Sequence, residues 1–73
     1  MAKNVHTVPR RGGWGNLREG GDRVAKIYPT KAAAQAAGRA TAQRDHVEHV
    51  IHNADGTVGA RNSYGNDPAR RKG

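Results

Sequence analysis

His46, His49 and His52 recur at every third position, and imidazole is among the commonest zinc ligands. Read as a strand, the segment puts His46 and His52 on one face and His49 on the other, so the three cannot converge. Glu48 joins the face of His52, and only the fold could add His6. Two imidazoles without a thiolate or a third ligand fall short of what zinc takes. These histidines therefore read as surface or half-buried side chains, and no metal is expected. The sequence holds no nucleophile elbow, Walker loop or HExxH pair. Gly12-Gly13-Trp14-Gly15 lacks the GxGxxG spacing and does not lead from a strand into a helix. The six acidic residues are scattered and form no acid/base pair. No catalytic residue and no cofactor are expected, and the chain does not read as an enzyme.

The cations point elsewhere. Thirteen Lys and Arg against six Asp and Glu give +7, and the usual partner of such a balance is a polyanion. Arg10 and Arg11 sit in a first turn, and Arg18, Arg23 and Lys26 lie on or beside the next strands. Arg70, Arg71 and Lys72 stand in the last seven residues, with Trp14 next to the first turn and Tyr64 a few residues before them. Arginine pairs bidentately with phosphate, and a neighbouring aromatic gives a base a platform to stack on. No helix carries the polar readers of a duplex groove, so RNA or a single strand is the expected partner. The competing reading makes the charge a solubilising surface and Trp14 a core residue. For Trp14 the core is favoured, since little else in the chain could fill it. For the charge the two readings weigh equally.

These residues must be held by a small fold. Seventy-three residues make one domain, able to hide only about 60% of its unfolded surface. Twelve of the 25 apolar residues are Ala, with one Leu and two Ile. Cysteine is absent, which excludes disulfides and is compatible with a reducing cytoplasm. No apolar run is long enough for a membrane span or a signal peptide. Residues 4–8, 14–19 and 23–28 alternate as three strands joined by Gly-rich turns. Thr30 is a good N-cap for a helix over 31–44, whose stripe of Ala33, Ala36, Ala37 and Ala40 can face a sheet. Gly38 inside that helix implies close backbone contact. Residues 47–52 and 57–62 form a last hairpin around Asp55-Gly56. The expectation is an α+β fold, an antiparallel sheet in βββαββ order with the Ala-rich helix on one face. Trp14, Ile27 and Ile51 are expected in its core. Residues 1–66 make the domain and 67–73 a flexible basic tail.

Several blocks together resemble a known family. Lys3-Asn4-x-His6-x-Val8-Pro9, Gly13-Trp14, Thr30 opening the Ala-rich helix, Val50-Ile51-His52-x-x-Asp55-Gly56 and Ser63-Tyr64-Gly65-Asn66-Asp67-Pro68 are similar to the small bacterial proteins of domain of unknown function 2188. Where that family often carries a Glu completing the helix capping box, this chain has Ala33. The resemblance implies an intact β-rich domain with one helix and no established activity. The reading is a small, basic, cytoplasmic, non-enzymatic protein that binds RNA or the ribosome through phosphate contacts. The alternative is a protein-interaction module or homodimer, or a modulator of a larger machine, working through an open sheet edge.

Overall fold

The computed structural model describes residues 3–21, 23–24 and 26–65. The expected tail, with Arg70, Arg71 and Lys72, lies outside them. The order is β1 (Val5–Arg10), β2 (Gly13–Arg18), β3 (Ile27–Tyr28), α1 (Lys31–Asp45), β4 (Glu48–His52) and β5 (Val58–Ser63). One five-stranded sheet runs β3-β2-β1-β4-β5, confirming the α+β class.

The sheet is mixed rather than purely antiparallel, because β1 and β4 pair in parallel, Val5 opposite His49 and Thr7 opposite Ile51. The reason is one of direction. Strands β1, β2 and β3 alternate, and a 15-residue helix then runs about 22 Å back along the strands, from Trp14 to Arg18 of β2. The next strand must run the same way as β1. β3 is shorter than expected, with only Ile27 and Tyr28 in the ladder. β1 runs on through Pro9 to Arg10.

Thr30 caps α1 as expected, its hydroxyl oxygen accepting from the Ala33 N–H at 3.1 Å. The helix ends on His46, in the left-handed region at φ 58°, whose N–H is donated to the Ala42 and Gln43 carbonyls. His46 thus takes the place that glycine most often fills and belongs to no strand. At the other turn Gly56 has φ 92°. Asp55 Oδ1 accepts from the Thr57 N–H and hydroxyl at 3.0 and 2.7 Å, which also holds its carboxyl below the usual range.

The helix seats on a face different from the expected alanine stripe. Ala34, Gly38 and Ala42 are its buried residues, whereas Ala36 and Ala40 are exposed and Ala33 and Ala37 half-buried. Beneath Gly38 the sheet presents polar groups. A Cβ there would meet Asn16 Oδ1 at 2.5 Å, His49 Nε2 at 2.7 Å and Thr7 Oγ1 at 2.9 Å. Thr7 and His49 are the largest fully buried side chains. Val5, Ile51, Ala34 and Ala42 surround them, and Val50 is buried on the opposite sheet face. Ile51 is in the core as expected. Ile27 is 41% exposed, because its register opposite Gly15 turns it to the sheet face that the helix does not cover, and Trp14, on the helix face near the β3 edge, is half-buried.

Gly38→Ala tests this seating. Alanine gains about 0.8–1 kcal/mol of helix propensity, but overpacking a closed site costs about 1–3 kcal/mol. The variant is expected to melt several degrees below wild type, since 1 kcal/mol moves a domain of this size by about 4–8 °C. A melting temperature at or above wild type would show that the helix does not sit so close.

Candidate nucleic-acid interface

The ten residues singled out from the sequence do not form one surface. Arg10 is exposed at the end of β1, donating through Nη1 to the Pro9 carbonyl at 2.9 Å. Arg11 is exposed in the following turn. Trp14 lies on the helix face of β2, between its neighbours Pro9 and Tyr28, and Lys31 Nζ stands 5.2 Å from its ring centroid. That cation from the first turn of α1 makes Trp14 a partly covered platform rather than a core residue.

Arg18, Arg23 and Lys26 do converge. They line a cleft of about 310 Å³ between α1 and the β2–β3 side of the sheet, floored by Asn16, Val5 and Tyr28 and closed by Ala37 and Thr41 of the helix. Alternation places Arg18 and Asn16 on the helix face of β2, which brings Arg18 to the cleft. Its guanidinium donates Nη2 to Asp45 Oδ2 at 2.5 Å and Nη1 to the Lys3 carbonyl at 2.8 Å. Arg44 also donates to Asp45, at 3.0 and 3.3 Å. Arg44 first, and Arg18 second, hold the Asp45 carboxyl down to about 2. Arg18 is thereby a wall of the cleft with much of its charge answered. Arg23 and Lys26 are exposed, and no ion pair engages them among the described residues. Lys26 Nζ stands 5.0 Å from the Tyr28 ring centroid. Tyr28 is the residue that the sequence reading missed, though its spacing two residues from Lys26 was the signal, since i and i+2 share a strand face.

Tyr64 belongs elsewhere. It lines a groove of about 280 Å³ on the other flank of α1, with Gln35, Arg39, His49 and Asn62. The histidines also part company. His49 is under the helix, His46 caps it, and His52 lies on the opposite face beside His6. There His6 Nδ1 and His52 Nε2 approach to 2.9 Å, with ring centroids 5.2 Å apart. That separation is close to the nitrogen–nitrogen distance plus two ring radii, so the lone-pair axes are nearly collinear. This is hydrogen-bond geometry, not the bent approach of two ligands to one metal. Among the described residues no group of three or more His, Asp or Glu is arranged to hold a metal ion, and no helix is long and apolar enough to cross a membrane.

A family described as an uncharacterized protein conserved in bacteria (DUF2188) matches residues 5–64. The chain belongs to that family. The match spans all five strands and the helix, and thus everything that shapes the cleft. No curated protein and no solved structure matches the chain.

The Asp45 contacts set a pH dependence. A carboxyl held near 2 when folded and near 3.9 when unfolded adds stability above about pH 4, and that increment is lost as pH falls towards 2. Asp45→Asn is expected to lower the melting temperature at pH 6 and to narrow its gap to wild type steadily between pH 4 and 2. A gap independent of pH would show that the Arg44 and Arg18 contacts carry no stabilisation.

Proposed function

We propose that this protein is a small, non-enzymatic RNA-binding module of the bacterial cytoplasm, free or on the ribosome, that grips a single strand by its phosphates. The observation that carries this reading is the gathering of Arg23, Lys26 and Tyr28 at one open cleft. Two cations without an ion pair among the described residues suit a phosphate backbone, and a tyrosine at their base suits a stacked base. Arg10 and Arg11, exposed at the β1–β2 turn, do not line the cleft but add to the net charge, as Arg70, Arg71 and Lys72 do by sequence. The absence of cysteine supports a reducing compartment.

One observation favours a second reading. β5 is exposed along all six residues and occupies the sheet edge, where a partner's strand could add. In that case RNA binding is absent and the partner is a protein.

Fluorescence anisotropy of a labelled single-stranded RNA at several salt concentrations decides between them. Each phosphate contact contributes about −0.7 to the slope of log affinity on log salt. Arg23→Gln with Lys26→Gln is expected to flatten the slope by about 1.4 and to weaken every sequence alike. The melting temperature should not change, because both side chains are exposed. Salt-insensitive or undetectable binding by the wild type, or a double variant that binds like it, would overturn the reading.

A further inference from the structure

The polar cluster under Gly38 fixes the tautomer of a buried histidine. Asn16 Nδ2 donates to the Ala34 carbonyl at 2.9 Å, which turns Oδ1 of the same amide towards Thr7. That oxygen can only accept, so the Thr7 hydroxyl donates its one proton there, at 2.5 Å. The hydroxyl oxygen lies 2.7 Å from His49 Nε2 and, its proton committed, can only accept. Nε2 therefore carries the His49 ring proton. Burial above all, then the charges of Arg39 and His6, pull the pKa of His49 down and favour the neutral ring. A neutral imidazole protonated on Nε2 leaves a bare lone pair on Nδ1. That atom is buried and is the one buried side-chain nitrogen or oxygen without a hydrogen-bond partner among the described residues.

His49 is 0% exposed and forms part of the lining of the 280 Å³ groove. Around it stand groups that donate. Arg39 comes from α1 with Gln35 one turn before it, and Asn62 is His49's cross-strand neighbour on β5. Tyr64, half-buried, supplies an aromatic wall. An acceptor flanked by donors calls for a ligand with a donor flanked by acceptors. The volume lies just below the range of about 300–1,000 Å³ of drug-sized pockets, which suits a single ring.

We propose that this groove is a uracil site, in which the base N3–H donates to His49 Nδ1 and its two flanking carbonyls accept from Arg39 and from the Asn62 amide. Gln35, exposed, moves aside as the base enters, and the exposed Arg39 side chain turns to the base carbonyl. Cytosine and adenine carry an unprotonated ring nitrogen on the corresponding edge, and guanine offers a carbonyl on one side only, so each matches fewer of the three groups. The base can belong to a free nucleotide or to a strand, and only the second source rests on the RNA reading above.

The test is long-range proton–nitrogen NMR of the His49 ring in the full chain, titrated with uridine 5′-monophosphate, N3-methyluridine 5′-monophosphate and an oligouridylate. Without ligand, Nδ1 should resonate as an unprotonated imidazole nitrogen. Uridine monophosphate should shift it saturably, and the N3-methylated nucleotide should not. His49→Gln keeps a donor near the Nε2 position for Thr7 but removes the Nδ1 acceptor, and should weaken the nucleotide about tenfold. Should that variant not fold, Asn62→Ala and Arg39→Ala, at exposed positions, should each weaken it several-fold. No shift at about 10 mM nucleotide, where a millimolar site would be largely filled, overturns the proposal. So does an equal response to the methylated nucleotide, or a proton on Nδ1 in the free protein. A response to the mononucleotide without salt-sensitive binding of the oligouridylate leaves the uracil site standing and removes the RNA reading. The converse removes the uracil site alone.

Discussion

The seat of α1 on the sheet depends on a side chain that is not there. Gly38 brings the helix backbone down onto Thr7, Asn16 and His49, closer than any Cβ allows. In most small domains such a seat would be apolar. Here the chain has too few large apolar residues to fill it, and a hydrogen-bonded triad fills the space instead. Each member of the triad is tied to another, and Asn16 is tied to the helix itself through the Ala34 carbonyl. A buried polar cluster of this kind tolerates little displacement, because an orphaned donor or acceptor costs about 1–3 kcal/mol. The helix is thus positioned by directional bonds as well as by burial, and both grooves inherit their width from it. The cleft with Arg23, Lys26 and Tyr28 opens on one flank of α1, and the groove with Arg39, Asn62 and Tyr64 on the other.

Much of this was legible from residues alone, and the exceptions have physical causes. Thr30, Asp55-Gly56 and Gly38 announced the helix start, the last hairpin and the close approach, because each residue type answers a local backbone need. The alanine stripe misled because the helix is so rich in Ala that composition cannot choose a face. Ala33, Ala36, Ala37 and Ala40 carry the same periodicity as Ala34, Gly38 and Ala42. Only Gly38, the least bulky residue and hence the one that must face the closest approach, could have set the phase. His46 escaped notice as a helix terminator because no Gly or Asn marks the end, although histidine is one of the residues that most often enters the left-handed region.

The parallel pairing of β1 with β4 was legible as well, by parity. After three alternating strands β3 points as β1 does, and one helical crossover reverses the chain once more. A following strand can then lie beside β1 or beside β3, and with either it is parallel. Pairing with β2 would be antiparallel, but β2 has both edges taken by its neighbours. Once the helix runs back along the strands, β4 can only join the free edge of β1 in parallel, as it does here.

The opposite face of the sheet shows what a one-dimensional reading cannot supply. His6 and His52 are 46 residues apart, and nothing local couples them. The parallel register does so, because it sets His6 beside Val50 and so brings His52, next along the same face of β4, within reach. The chain of bonds runs outward from the pair. Glu19 accepts from His6 Nε2 at 3.2 Å, and the Gly56 carbonyl accepts from His52 Nδ1 at 3.1 Å. Asn4 donates to the same Glu19 oxygen at 3.1 Å, and Asn4 and His6 together hold that carboxyl below its usual range. The contact thus ties β1, β4, the residue that follows β2 and the last turn together, through side chains that no local pattern in the sequence couples.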